Sequence, residues 1–353
     1  MLGLQFTKLK KPITVDKPVK VTFTEVFVSP DIYLNTFTAT INSLKTHFGN
    51  NEESITLFIV REFLQNAIDQ EIVKTGDFLN SYKKVKYEYH DGYYIMESEG
   101  EIPEEAFAFG FTTKAEKFKE TVCCLIGHFG VGMKEAMGSA LLLNKTVLIF
   151  TADHVYMMAG VCDDEIKTRD VTGSCKLAIL RGDYKTHGKT TVYAEGKELS
   201  VGLLWDSEDQ VKTTGNGVYH NGLFSGTWGL PFSMNLCCVD TDQYRTSVLP
   251  GSPRIRTQLR NLPDKEKELI TKAIIENASV SGKTVTIPIE EGVNSYVDSL
   301  LEPFAKAIIT LAKRYSMSPI VLANHYQVLD FGAKNDPIFD MGKLLSSEVI
   351  SII

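Results

Sequence analysis

The stretch from Lys145 to Gly196 constrains the fold more than any other part of the chain. It contains KTVLIFTA, HVYMMAGV, KLAILRGD and KTTVYAEG, four short runs rich in β-branched and aromatic residues with turn residues between them. Such runs predict strands, here in a meander. Upstream, KVKYEYH and YYIMESEG flank Asp91-Gly92. Asp-Gly between alternating runs signals a two-residue hairpin. A sheet of this kind must bury its apolar faces against something. One cover is legible nearby. In SITLFIVREFLQNAIDQEIVKT, residues Leu57, Val60, Leu64, Ala67 and Ile68 recur at helical spacing. A helix is expected from Ser54, which can cap it, to Thr75, with Gly76 ending it. A second helix is expected through Lys134 to Leu143. The fold class is therefore α+β.

The rest of the chain is organised around that unit. Residues 1–50 alternate in stretches such as VKVTFTEVFV and break at Pro30. They read as strands or an extended arm, more readily an edge strand of their own domain than a swapped arm. From about Leu199 the pattern changes to Gly-rich turns, then Pro250-Gly251-Ser252-Pro253 and the charged helix PDKEKELITKAIIENA. Further helical stretches are expected near Asn294–Tyr315 and at 341–352. This gives two domains, residues 1–200 and a second α+β domain over 201–353, in keeping with a chain of 353 residues.

Composition excludes several classes. Hydrophobic residues make up 43% and charged residues 23%, which rules out a disordered or collagen-like chain. The net charge of -7 gives no global positive field, so nucleic acid is an unlikely partner and a topoisomerase- or MutL-like DNA machine is disfavoured. Cys123, Cys124, Cys162, Cys175, Cys237 and Cys238 fit neither a disulfide ladder nor a metal knuckle. They read as reduced, mostly buried thiols of a cytoplasmic protein. No signal peptide or membrane span is read from the sequence, and the scattered histidines lack metal-ligand spacing.

Three features carry chemistry. Glu62, Asn66 and Asp69 sit at offsets of four and three, on one face of the first helix. A face like that is ordinarily just solvated. The segment Gly127-His128-Phe129-Gly130-Val131-Gly132 leads into Met133, Lys134 and an apolar helix. Its glycines let backbone N–H groups approach phosphate oxygens, and the helix N-terminus adds its positive end. Alone it is a weak signal, since it lacks both a βαβ setting and a GK[ST] ending. Just upstream, Gly110-Phe111-Thr112-Thr113-Lys114 suits a phosphate lid as well as it suits a polar turn.

Order and spacing give these features their meaning. A helix with ExxxNxxD, a hairpin, a TTK segment, GxxGxG opening a helix, and strands closing on GKTTVY resemble the GHKL superfamily. That superfamily includes gyrase, a heat-shock chaperone, histidine kinases and MutL, and it shares the Bergerat nucleotide-binding fold, which implies a sandwich of a mixed, mainly antiparallel sheet with helices on one face. The resemblance spans residues 54–196, a little over a third of the chain. The segment FGFTTKAEKFKETVCCLIGHFGVGMKEAM is also similar to GHKL proteins of phages and mobile elements, including the rIIA type.

The resemblance implies an ATP- and Mg²⁺-binding protein. Asn66 would coordinate Mg²⁺ on the phosphates. Glu62 would orient and deprotonate the attacking water. Asp69 would stand behind these ligands or on the ribose/phosphate side. Gly127, Gly130 and Gly132, with Val131 between them, would cradle phosphates. Thr112, Thr113, Lys114 and Lys134 would add polar and positive groups, although Lys134 could equally point to solvent. Thr190 or Thr191 would lie near the adenine-binding carboxylate.

One element departs from the family. The expected DxGxG box reads Met96-Glu97-Ser98-Glu99-Gly100-Glu101-Ile102-Pro103. Glu97 stands in for the Asp on one alignment, and Ser98 takes that place if a residue is deleted. The implied activity is hydrolysis that gates dimerisation or partner binding. The alternative is a phage-type nucleotide-binding regulator with little turnover that acts on a host protein. In the second domain, Arg245, Arg254, Arg256 and Lys272 are candidates for sensing the γ-phosphate, with ordinary surface charge as the competing account for each.

Overall fold

The computed structural model describes residues 4–48, 52–108, 132–240, 248, 251–281, 284–289, 294–315, 320–322 and 338–340. The chain divides into two compact units, Met1–Leu203 and Leu204–Ile353.

The first unit opens with strands β1 (Thr7–Val15) and β2 (Val21–Tyr33), then a 3-10 turn and helices α1 (Thr38–Phe48) and α2 (Glu52–Thr75). Hairpin β3 (Lys86–His90) and β4 (Tyr93–Glu99) follows, then helix α3 (Gly132–Leu142). The unit closes with β5 (Val147–Thr151), β6 (His154–Cys162), β7 (Glu165–Lys167), β8 (Lys176–Asp183) and β9 (Lys189–Glu195). These strands form one sheet in the order β1-β2-β8-β6-β5-β9-β4-β3, with β7 on β6. Every pairing in it is antiparallel, so the expected α+β class holds, with a sheet more uniform than the mixed one expected.

Several local expectations are met and others corrected. Asp91 and Gly92 both have positive φ, 49° and 83°, the type I′ hairpin that Asp-Gly favours. Gly76 ends α2 at φ +71° with its N–H on the Ile72 carbonyl, 2.7 Å, but α2 starts at Glu52, so Ser54 lies inside the helix and caps nothing. Residues β5 to β9 do not form a simple meander. β8 pairs with β6, yet the chain then crosses to the far side of β5, where β9 is inserted between β5 and β4. Alternation predicts that β9 is a strand but cannot choose its neighbours; β9 is held by a seven-residue register with β4. Pro30 does not break β2. The strand continues through it with a register shift between Val28 and Tyr33, the bulge a residue without an N–H requires. The N-terminal segment is thus an edge hairpin of its own unit.

Both faces of the sheet are covered. On one, Leu148, Phe150, Val155, Met157 and Leu180 pack under Val21, Phe23 and Val26 of the β1–β2 hairpin. Gly182 permits this curl, because a Cβ there would meet the Thr22 carbonyl oxygen at 2.3 Å. The helices and the 3-10 turn lie on the other face. Gly160 of β6 abuts Leu34 of the turn, Gly196 abuts Thr56 of α2, and Gly138 of α3 lies beneath the Phe37 ring.

The cysteine reading is corrected in this unit. Cys162 and Cys175 form a disulfide with Cα atoms 4.7 Å apart. The cause is register: Val161 pairs with Lys176, which brings the two neighbouring cysteines face to face across the β7 excursion. Linear spacing carries no trace of that pairing. Cys123 and Cys124 lie outside the described residues.

The second unit is also α+β. Strands β10 (Val211–Lys212), β11 (Gly217–His220), β12 (Leu223–Thr227) and β13 (Ser233–Leu236) form a sheet in the order β10-β13-β11-β12, with β11 and β13 parallel. Helices α4 (Pro253–Arg260) and α5 (Asp264–Asn277) follow. Next come β14 (Ser279–Ser281), β15 (Thr284–Thr286), a helical turn at Asn294–Val297 and helix α6 (Leu301–Arg314). Strands β16 (Ile320–Leu322) and β17 (Ile338–Asp340) complete a second sheet. Trp228, Phe232, Met234, Ile255, Ile274 and Phe304 share one core. Ser252 caps α4, accepting from Ile255 N, with Pro253 at the first helical position. The helix expected at 341–352 lies outside the described residues. Among the described residues, no helix is long and apolar enough to cross a membrane.

Gly138→Ala tests the helical layer. Its Cβ would lie 2.2 Å from Phe37 Cδ2, and overpacking of that kind costs about 1–3 kcal/mol. Urea unfolding should show a lowered midpoint; an unchanged midpoint would contradict this packing.

Candidate functional site

The candidate site lies where α2 meets the start of α3. Glu62 is 6% exposed, and its carboxylate rests on the backbone of Gly132, the first residue of α3. A Cβ on residue 132 would sit 1.9 Å from Glu62 Oε2, well inside van der Waals contact, so any larger residue there would displace the carboxylate from this position. The sequence thus has a glycine where the carboxylate of one helix reaches the N-terminal end of another. That end carries partial positive charge, which suits an anion.

One turn along α2, Asn66 is half-buried and its Nδ2 donates to the Glu62 carbonyl oxygen at 2.8 Å. The same stripe continues through Gln70 and Lys74, which donate to the carbonyls of Glu101 and Glu99. Hence α2 lies along the segment after β4, and the Glu62–Asn66 edge points the same way. Asp69, three residues on, is fully buried. It belongs to the inside of the unit and not to a solvated face. Glu135, in the first turn of α3, has its pKa raised by burial and by the negative charge of Glu62, against a lowering hydrogen bond with Thr40. Two carboxylates thus share this helix start.

The segment that departs from the family box is fixed by a chain of hydrogen bonds. Ile102 N donates to Thr151 Oγ1 at 2.7 Å, Thr151 Oγ1 lies 3.0 Å from Thr190 Oγ1, and Thr190 Oγ1 donates to the Gly100 carbonyl at 2.8 Å. Since Thr190 gives its proton to Gly100, Thr151 must be the donor between the two hydroxyls. Gly100 has φ +97°, and a Cβ there would lie 2.8 Å from Gln70 Nε2, so this glycine meets a backbone and a packing demand at once.

Strand alternation separates the remaining candidates. Ser98 pairs with Thr190 and Glu97 with Thr191. Ser98 and Thr190 are buried, on the sheet face that α2 covers. Glu97 and Thr191 are on the other face, where Glu97 forms an ion pair with Lys86 at 3.2 Å. Of the two alignments, the structure puts Ser98 on the same side as Glu62 and Asn66, and it puts Thr190 there in preference to Thr191.

Lys134 neither points to solvent nor lines an open cleft. It is 1% exposed, and its Nζ donates to the carbonyls of Ala106 and Ala108 at 3.1 and 2.7 Å. Burial pushes its pKa down to about 8. It therefore anchors the chain that leads into residue 109 to the first turn of α3. Arg181 does similar work nearby, pairing with Glu25 and Glu104 and lying over the Phe6 ring at 4.1 Å. Sequence reading missed both anchors, because neither a lone Lys in a helix nor a lone Arg in a strand has a local signature of burial.

Thr112, Thr113, Lys114, Gly127, Gly130 and Val131 lie outside the described residues, as does Arg245. In the second unit, Arg254 pairs with Asp240 at 3.2 Å and Lys272 with Glu276 at 3.7 Å, while Arg256 is half-buried in α4. Among the described residues, no cluster of three or more His, Cys, Asp or Glu could hold a metal ion. A hard cation here would need an amide oxygen such as that of Asn66, together with oxygens supplied by a ligand. That is a normal way for Mg²⁺ to bind. Compared with protein-family models and with curated proteins, the chain matches none.

The buried lysine gives a pH test. Its pKa in the folded state is below the ordinary 10.5, so between the two values the unfolded chain holds the proton and the folded chain does not. Stability should therefore rise with pH above about 8, by at most about 1.4 kcal/mol per unit. Relative to Lys134→Met, the wild type should gain stability from about pH 8 to about pH 9.5 in urea unfolding. Parallel curves for the two proteins would contradict the lowered pKa of the buried Lys134 ammonium.

Proposed function

We propose that the first unit binds ATP with Mg²⁺ in the manner of a GHKL ATPase, and that Glu62 promotes hydrolysis. The observation that carries this reading is the seat of the Glu62 carboxylate on Gly132, with Asn66 one turn away and Ser98 and Thr190 on the same side of the sheet. The N-terminal end of α3 supplies backbone N–H groups for phosphate. When bound, Mg²⁺ would neutralise phosphate charge. Asn66 offers it an amide oxygen, held in orientation by the bond to the Glu62 carbonyl. Glu62 would take a proton from water within one hydrogen bond of the γ-phosphate. Ser98 and Thr190 would meet the adenine edge as hydroxyl donors and acceptors, in place of the carboxylate the family usually offers.

Hydrolysis in this reading gates dimerisation or the binding of a partner protein in the cytoplasm. A second reading is favoured by a specific observation. Gln70 and Lys74 are hydrogen-bonded to the Glu99–Glu101 segment, where the family has glycines, and Glu97 is paired with Lys86. A box closed in this way suits a nucleotide-binding regulator with little turnover, such as a phage-type factor acting on a host protein.

Single-turnover hydrolysis separates the two. Glu62→Ala should bind Mg-ATP and lose hydrolysis by about 100-fold or more. Equal, negligible rates in wild type and variant with ATP still bound would favour the regulator. Absence of ATP binding in the wild type would sink both. Asn66→Ala should abolish the Mg²⁺-dependent part of ATP affinity, as read by calorimetry with and without chelator; an unchanged difference would remove Asn66 from the metal.

A further inference from the structure

We propose that the Cys162–Cys175 disulfide is a reversible latch, opened by a dithiol reductant, that holds residues 168–174 against the 3-10 turn before α1 and the connection from α3 to β5. Reduction releases that segment and leaves the sheet intact. A bound nucleotide is not required, because neither Glu62 nor the start of α3 takes part.

The bond sits where the sheet no longer needs it. β6 and β8 pair without a break from His154–Asp183 to Val161–Lys176, and β8 pairs with β2 on its other side. The disulfide lies one residue beyond the last β6–β8 pair. It closes an excursion over residues 163–174, which leaves β6 through the Asp163-Asp164 turn and forms β7 before returning. Three register pairs with β6 hold β7. The sheet thus keeps its own hydrogen bonds whether or not the sulfurs are joined.

The rest of the excursion is fastened to other elements. Leu34 N donates to the Cys175 carbonyl at 3.0 Å and Asn35 N to the Gly173 carbonyl at 2.8 Å. The approach is close: a Cβ at Gly173 would lie 3.2 Å from that of Asn35. Asp170 and Asn144 are joined twice, from Asp170 N to Asn144 Oδ1 at 2.7 Å and from Asn144 Nδ2 to Asp170 Oδ1 at 3.2 Å. Arg169 Nη2 donates to Thr146 Oγ1 and to Glu195 Oε2, both at 2.9 Å. One short segment therefore binds the 3-10 turn, the α3–β5 connection and the end of β9. Arg169, Asp170 and Asn144 are exposed, so their bonds are weak singly. By closing the ends of the excursion, the disulfide favours all of them together.

The two sulfurs differ in access. Cys162 is half-exposed and Cys175 is 3% exposed, so a reductant reaches Cys162. A thiolate of the dithiol attacks Cys162 Sγ, the Cys162–Cys175 bond breaks, and Cys175 leaves as a thiolate. Thr172 Oγ1 lies 3.5 Å from Cys175 Sγ. A disulfide sulfur carries no proton, so this hydroxyl is the donor, and it stabilises the departing charge. The second thiol of the reductant then attacks the reductant sulfur in the mixed disulfide and releases Cys162. The protein disulfide becomes two thiols, the dithiol becomes a cyclic disulfide, and its two protons end on Cys162 and Cys175. The strand register keeps both cysteines as neighbours after reduction, so an added disulfide closes the bond again by exchange.

The test uses the folded full chain, dithiothreitol as the dithiol, oxidised glutathione for reversal, and hydrogen exchange read by mass spectrometry. Without reductant, peptide mapping should find Cys162 joined to Cys175, with Cys237 and Cys238 free. After reduction, the amides of Leu34, Asn35 and Asp170 should exchange roughly 10- to 100-fold faster, since loop closure no longer favours the docked segment. The amides of Leu177–Leu180 in β8 should keep their protection. Trypsin should cut after Lys167 or Arg169 faster in the reduced protein, and oxidised glutathione should restore the original pattern. Cys162→Ala should show the released pattern with or without dithiothreitol. Unjoined Cys162 and Cys175 in the folded protein after treatment with oxidised glutathione would overturn the proposal. So would unchanged exchange at Leu34 and Asn35 on reduction of the wild type. Loss of protection in β8 along with the segment would make the bond a staple of the whole unit, which also overturns the latch.

Discussion

A carboxylate oxygen occupies the space where residue 132 would carry a Cβ. This contact between Glu62 and Gly132 ties the longest helix of the first unit to the start of α3, and much of the unit's arrangement accompanies it. The same helix presents Asn66, Gln70 and Lys74 along one edge. Gln70 and Lys74 reach the Glu99–Glu101 backbone, and the hydroxyl chain through Thr151 and Thr190 holds that segment on the end of the sheet. The start of α3 also sets Lys134 under Ala106 and Ala108. An anion at a helix N-terminus is favourable by itself, and a side chain at residue 132 would displace this one from its place.

The layer beneath makes this geometry rigid. The sheet is antiparallel throughout and is covered by the β1–β2 hairpin on one face and by helices on the other. Glycines at 138, 160, 182 and 196 are the positions of closest approach. A site on such a scaffold inherits its precision from packing and hydrogen bonds, not from flexible loops.

Much of this was legible in the sequence because it is local. The hairpin at Asp91-Gly92, most of the span of α2 and four of the five strands from 147 to 195 follow from alternation, helical period and turn residues; the short β7 does not. The stripe of Glu62, Asn66 and Asp69 was legible as spacing, but its burial was not: Asp69 reads as surface and lies inside. What sequence could not give is non-local. The insertion of β9 between β5 and β4, the disulfide between Cys162 and Cys175, and the buried anchors Lys134 and Arg181 each depend on register between distant strands or on a partner far along the chain. The choice between Glu97 and Ser98 belongs to the same class, since a one-residue shift in a strand turns a side chain to the opposite face.

The most direct test of the nucleotide site is a structure of the full chain with Mg²⁺ and a non-hydrolysable ATP analogue. The account predicts phosphate oxygens on the backbone N–H groups at Gly132, Mg²⁺ on the Asn66 amide oxygen, and the base beside Ser98 and Thr190. A nucleotide bound elsewhere, with Glu62 still seated on Gly132 and no density at that helix start, would contradict it.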